Sequence, residues 1–293
     1  MDSSSPALPP RIAGLGTLAG HYDGYLIDLW GVLHDGVRPY AEALACLAEL
    51  RRLGKRIIVL SNAPRRAASV KAGTARIGIA EALYDELVCS GEETWRELAA
   101  WSDPFYRNLG RRCYPLMASR DRGMLEGLSL ELVDDVARAD FLLATGVEGP
   151  DERIEQFAAA LDAARARDLP MICANPDLVV LRGGVQEICA GALAEAYERR
   201  GGRVRYHGKP HYPVYARCFE LLAPIGRERI LAVGDSLRTD IAGAAGAGIG
   251  SVLVTDGIHA EELGGGEPDD ARLAGIYAQW RCRPTAVLRH LVF

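Results

Sequence analysis

YLIDLWGVLHDGVRPYAEALACLAELRRLGKRIIVL, Tyr25–Leu60, reads as a strand, a crossover helix and a second strand. Tyr25–Trp30 is a short apolar run interrupted only by Asp28. From Tyr40 to Leu53 the apolar residues Tyr40, Ala43, Leu44, Leu47 and Leu50 follow the three-four spacing of one helical face. Gly54 then stands where a left-handed residue ends a helix. Arg56–Leu60 is the next strand. Continuous apolar strands joined by amphipathic helices imply a parallel sheet covered on both faces.

The rhythm continues outward. Pro64–Ile77 reads as a second helix, opened by proline and closed by Gly78, and Leu87–Cys89 as a third strand. It returns late, with strands at Arg203–His207, Ile230–Asp235 and Ser251–Thr255 and helices at Tyr212–Leu222 and Asp240–Ala247. Between these halves the chain has elements of its own. Cys113–Met117, Phe141–Thr145 and Met171–Ala174 are strand candidates. Asp151–Arg167 is an amphipathic helix with Ile154, Phe157, Ala158 and Leu161 on one face. The expected organisation is an α/β core in two parts, 1–90 and 190–293, interrupted by an inserted α/β domain at 91–189.

Composition agrees with a folded globular chain. Its 293 residues are 49% apolar and 25% charged, which excludes a disordered chain. The net charge of −5 creates no global attraction for nucleic acid or an acidic membrane surface, so neither is expected as a partner. Seven cysteines, an odd number without a CxxC pair, read as reduced core residues of a cytoplasmic protein. The opening Met1–Gly14 lacks the basic start and apolar run of a signal peptide. The longest uncharged stretch, Ile241–Thr255, is too short to span a bilayer.

Ligands of a parallel sheet bind beyond the carboxyl ends of its strands. Four such ends carry polar groups here: Asp28, the pair Ser61-Asn62, Lys209 in HGKPHY, and Asp235 with Asp240 in VGDSLRTD. A single strand-end aspartate is commonly a cap or turn residue, but four polar ends in one chain point to a shared site.

These segments resemble the motifs of the haloacid dehalogenase superfamily, in particular its phosphohydrolases with a class IIA cap, the p-nitrophenyl-phosphatase and pyridoxal-phosphate-phosphatase-like group. DLWGVLHDG, SNAPR, GKPHYPVY and GDSLRTDIAGA match the four motifs in order, and ANPDLVV followed by ICAGALAEA matches the exit from the cap. The resemblance spans nearly the whole chain. It implies a doubly wound Rossmann-like core with an inserted α/β cap. It also implies that Asp28 attacks phosphorus to form an aspartyl-phosphate. Mg²⁺ would be held by Asp28, the backbone carbonyl of Trp30 and Asp235, with Asp240 a further or water-mediated ligand. Ser61 would donate to the phosphoryl group, with Asn62 assisting through its backbone. Lys209 would neutralise charge on Asp28 and the phosphoryl oxygens. Asn175 and Asp177 fall in the cap segment near substrate; the alternative is a turn held by their side chains.

One position departs from the pattern. Phosphatases of this family carry DxD, and the second aspartate protonates the leaving oxygen. Here the triplet is Asp28-Leu29-Trp30. Tryptophan supplies no useful proton, and general acid–base assistance is typically worth about 10²–10⁴ in rate, roughly 3–5 kcal/mol. Activated esters and acyl phosphates would suffer least. His34 and Asp35 are candidates for a substitute acid, or simply the turn after the strand.

The expected function is Mg²⁺-dependent hydrolysis of a small phosphorylated metabolite, by a monomer or homodimer. Two alternatives stay open: a feebly catalytic relative that binds phosphoesters or a protein, and a haloacid dehalogenase. The latter needs no metal, which the intact GDSLRTD and GKP segments argue against. His207 and His211 have a zinc-like spacing, but Gly208 and Pro210 argue against a helix there and no third ligand is evident. His259, in DGIHAEE, falls on the site's side of the sheet; an exposed loop residue is the expected reading and a substrate contact the alternative.

Overall fold

The structure is a computed structural model that describes residues 8–293. The reading of Met1–Gly14 falls in part on residues 1–7, outside that range. The chain divides into two compact units. One comprises the described residues up to Val59, Gly78–Glu86 and Cys218–Phe293; the other comprises Leu60–Ile77 and Leu87–Arg217.

The first unit is built on a parallel sheet. Its spatial order is Ala286–Leu288, Gly250–Val254, Ile230–Gly234, Gly24–Ile27 and Arg56–Ser61, with Glu86–Cys89 at the edge. Gly24–Ile27 lies between Ile230–Gly234 and Arg56–Ser61, with Ile27 opposite Val233 on one side and Val59 on the other. The order reverses beside this first strand, and such a switch point is where open α/β sheets place ligands. Every residue of Gly24–Ile27 and Ile230–Gly234 is buried, as a doubly covered sheet requires.

The crossover helix runs Ala41–Arg52 and buries Ala43, Cys46, Leu47 and Leu50. The buried stripe is thus turned from the one read in the sequence. Tyr40 precedes the helix and is exposed, Leu44 is only partly covered, and Cys46 occupies the core as a small apolar side chain. Burial pushes the Cys46 thiol up to about 12. Gly54, with φ of 72°, follows the helix in left-handed conformation.

The second unit has its own five-stranded parallel sheet. The order is Arg203–Tyr206, Pro170–Cys173, Phe141–Ala144, Arg112–Leu116 and Glu131–Leu132. Arg203–Tyr206 pairs with Pro170–Cys173 and completes this sheet, although the sequence rhythm grouped it with the late core strands. Ala158–Ala166 packs Leu161 and Ala164 into its core, while Ile154 and Phe157 precede that helix in a tighter 3₁₀ turn. Val179–Arg182 and Val185–Ile188 form a separate antiparallel hairpin. Among the described residues no helix is long and apolar enough to cross a membrane. All seven cysteines are free, six of them buried and Cys282 half-buried.

Candidate active site

Asp28, Asp235 and Asp240 converge in the first unit. One carboxylate oxygen from each lies within 4.8 Å of the others, and all three residues are buried. Asp28 follows the central strand, and its N–H donates to Val233 O at 2.8 Å, continuing the ladder beyond Ile27. Asp235 follows the neighbouring strand directly. Its Oδ2 accepts the Ile258 N–H at 2.8 Å. Three anions this close repel strongly unless a cation lies among them. Hard carboxylate oxygens on a compact, buried site suit Mg²⁺. Among the described residues this is the one group of three or more acidic, histidine or cysteine side chains placed to hold an ion.

The backbone around the cluster is shaped to it. Gly31 has φ of 78°, and a Cβ there would overlap the Asp235 carboxylate. Gly257 presses on the same aspartate from another side, with no room for a Cβ. Asp240 is brought back by a wide turn at Leu237–Ile241. The N–H groups of Asp240 and Ile241 both donate to Ser236 O, at 2.9 and 3.1 Å. Its Oδ2 in turn accepts the Ser236 N–H at 3.1 Å. Such five-residue turns recur at functional sites.

His259 is buried, not exposed on a loop. Its Nε2 accepts the Leu237 N–H at 3.2 Å, and its Nδ1 meets the Glu262 carboxylate at 3.0 Å. The sequence located this residue beyond the correct strand, on the side of the site, but favoured an exposed loop position.

The second unit collects Ser61, Asn62, Asp177, Asn175 and Lys209. Asn62 is the hub. Its Oδ1 accepts the Lys209 N–H at 2.8 Å, and its Nδ2 donates to Lys209 O at 3.1 Å and Asp177 Oδ1 at 2.9 Å. The Asn62 side chain therefore holds the lysine loop. The Asn175 Oδ1 accepts the Asp177 N–H at 3.0 Å, the side-chain-stabilised turn weighed from the sequence. The Ser61 hydroxyl accepts the Ala63 N–H at 3.2 Å. Lys209, Ser61, Asn62 and Asn175 are all buried. His207, two residues before Lys209, is hydrogen-bonded through Nε2 to the Tyr106 hydroxyl. Burial, then the Arg205 charge, depresses its pKa to about 3, so it is neutral at physiological pH. His211 stacks on Tyr206 at 5.0 Å.

Two family models match the chain: a haloacid dehalogenase-like hydrolase over residues 25–131 and a HAD-hydrolase-like model over 206–291. Chronophin of Rattus norvegicus is 30% identical over 272 residues, covering 86% of this chain and 82% of chronophin. The crystal structure of a haloacid dehalogenase-like hydrolase from Brucella suis is 35% identical and covers 97% of this chain and all of its own, with a TM-score of 0.82. The chain belongs to the haloacid dehalogenase-like hydrolases. It is an enzyme of their phosphatase group, which includes homologues that are phosphatases by name. A glycerol phosphate phosphatase from Mycobacterium tuberculosis, solved in complex with magnesium, shares the fold: 24% identity, 92% of this chain, 76% of that chain and a TM-score of 0.63.

In this hydrolase the position two residues after Asp28 is filled by an aromatic ring. Trp30 meets His34 edge-on, with centroids 4.8 Å apart and planes at 67°. His34 is buried and its Nδ1 accepts the Gly36 N–H at 2.8 Å. Asp35 Oδ1 accepts the N–H groups of Val37 and Arg38 at 2.8 and 2.7 Å. Those two backbone donors, Arg38 first, hold the Asp35 carboxyl below the usual range, which suits a turn residue and not a proton donor. Of the two roles weighed from the sequence, the turn describes Asp35.

Proposed function

We propose that this hydrolase is a Mg²⁺-dependent phosphohydrolase of small phosphorylated metabolites, acting through an aspartyl-phosphate on Asp28. The observation that carries this is the buried convergence of Asp28, Asp235 and Asp240 beyond the central strands. Bound Mg²⁺ would offset the negative charge of the site and polarise the phosphoryl oxygens. Asp28, Asp235 and the carbonyl of Trp30 would hold it, with Asp240 as a direct or water-linked partner.

Asp28 would attack phosphorus in line with the departing oxygen. Ser61 would donate to a phosphoryl oxygen. Asn62 would contribute through its backbone, while its amide fixes the Lys209 loop. Lys209 would balance charge on Asp28 and the phosphoryl group. Asn175 and Asp177 would shape the substrate side of the site. The inserted cap is proposed to span 91–189, between core segments 1–90 and 190–293, except that Arg203–Tyr206, which that division leaves in the second core segment, pairs into the cap's sheet.

Trp30 narrows the substrate range. Without a carboxylic acid at this position, the leaving oxygen departs best when it needs no proton. Acyl phosphates and aryl phosphates fit that requirement, and alkyl esters fit it poorly. The same residue favours a second reading, a relative that binds phosphoesters or a protein partner with negligible turnover.

The test is phosphate release from a panel graded by leaving group, with and without Mg²⁺. The panel runs from acetyl phosphate and p-nitrophenyl phosphate to sugar phosphates and nucleotides. Mg²⁺-dependent turnover that vanishes in Asp28→Asn supports the phosphatase. Mg²⁺ binding without turnover on any member supports the binding role. Halide release without metal would return the assignment to a dehalogenase.

A further inference from the structure

We propose that His259 is a positioning residue for the ion-holding loop, acting as a fixed acceptor that sets the peptide between Asp235 and Asp240. The inference rests on the Mg²⁺ site proposed above.

Leu237 has only an N–H to offer at this contact, and it points to His259 Nε2 at 3.2 Å. Nε2 must therefore be the unprotonated nitrogen. The imidazole proton of the neutral ring then sits on Nδ1, which faces Glu262 Oε2 at 3.0 Å. Glu262 thereby selects the tautomer that can accept from Leu237. The arrangement is the one outer groups use around metal sites, where a carboxylate orients an imidazole. Here the imidazole orients a loop rather than an ion.

The neighbouring residue strengthens the case. Ile258 N–H donates to Asp235 Oδ2 at 2.8 Å. The segment Gly257–His259 thus engages the aspartate loop at successive residues, once at the Asp235 carboxylate and once at the Leu237 peptide. The loop is also closed from within, by Ser236 N–H to Asp240 Oδ2. Leu237 and Ile241 are sunk in an apolar cluster with Leu253, Leu263 and Leu273. Burial leaves the Leu237 N–H no water to turn to if its acceptor is removed. The peptide would then rotate to find a partner, and Asp235 and Asp240 flank it on both sides.

Three variants separate this role from simple packing. His259→Leu fills similar space and removes the acceptor. His259→Gln keeps an acceptor oxygen near the Nε2 position. Glu262→Gln removes the charge that selects the tautomer. Titration calorimetry with Mg²⁺ alone should show binding weakened about tenfold in His259→Leu, the scale of one buried hydrogen bond left unmade. Binding should be substantially restored in His259→Gln and weakened to a lesser degree in Glu262→Gln. Amide exchange of the metal-free protein should speed up across Ser236–Asp240 in His259→Leu, less so in Glu262→Gln, and stay near wild type in His259→Gln. Turnover of His259→Leu should recover at saturating Mg²⁺, which a misfolded protein would not do.

Wild-type affinity and unchanged loop exchange in His259→Leu would overturn the proposal. So would equal losses in the leucine and glutamine variants, because packing alone would then explain them. Failure of the metal assignment looks different: wild type and Asp235→Asn would both take up no Mg²⁺.

Discussion

Gly31 lies against the carboxylate of Asp235 so closely that a methyl group on its Cα would occupy the space of the Asp235 oxygens. The glycine also has φ of 78°, a conformation that costs an L-residue about 1–2 kcal/mol. Gly31→Ala should therefore lose stability by at least that amount and displace Asp235. The measurement is a denaturation curve together with the Mg²⁺ concentration needed for half-maximal turnover. Wild-type values in both would show that the turn relaxes without disturbing the carboxylate.

Asp235 itself offers a sharper test. Asp235→Asn keeps the shape and removes a charge from the cluster. Substitutions behind metal ligands already cost about 10–100-fold in affinity, so if Asp235 is a direct ligand, as proposed, its loss should cost no less. Calorimetric titration with Mg²⁺ reads this without turnover. Retention of wild-type affinity would remove Asp235 from the ligand set.

Trp30→Asp would supply the acid that the proposed mechanism lacks. Alkyl phosphate hydrolysis should rise by up to about 10²-fold while acetyl phosphate hydrolysis changes little, because only the former needs a proton on its leaving oxygen. The informative quantity is the ratio of the two rates. A ratio unchanged in a folded variant would mean that proton delivery is not what limits the wild-type enzyme.

His207 predicts a pH dependence of stability. Its pKa falls from 6.5 to about 3 on folding, chiefly through burial and then through Arg205 and His211, partly opposed by Asp103. Between those values the unfolded chain binds the extra proton, so this group makes stability rise with pH. Its contribution is fully present above about pH 6.5 and is lost at up to about 1.4 kcal/mol per pH unit as pH falls towards 3. His207→Gln should show a shallower loss over that window in urea denaturation. Identical slopes would refute the buried neutral state. Tyr106→Phe should also destabilise the protein, by about 1–3 kcal/mol, since it strips a buried nitrogen of its partner.

The sequence made the core strands legible because they are short, apolar and separated by stretches with helical spacing. Asp28 and Asp235 could be located for the same reason: each is the first carboxylate after such a run. Long-range partners left no local trace. Asn62 and Lys209 are 147 residues apart and bonded through both ends of one amide, which no periodicity records. Arg203–Tyr206 has the alternation of a strand, but alternation does not say which sheet receives it. The hairpin at Val179–Ile188 was hidden because most of its residues are only partly buried or exposed. Cys46, read as a core residue but not as part of the helical stripe, turned the buried face of the first helix away from Leu44. His259 was misjudged because a DGIH segment reads as surface turn chemistry until its imidazole finds the Leu237 peptide.

The wide turn at Leu237–Ile241 also fixes the length of the chain at this point. It holds one residue more than an ordinary helical turn, with Ile241 N–H reaching back five positions to Ser236 O. The helix that follows, Ala242–Ala247, buries Gly243, Ala244 and Ala247. Deleting a single residue from the turn would rotate that helix by about 100° about its axis. Gly243 and Ala247 would leave their buried places, and Ala245 would be driven in. Asp240 and the face of the next helix are therefore set by one count of residues, and insertions or deletions that surface loops absorb with little penalty would here cost both together.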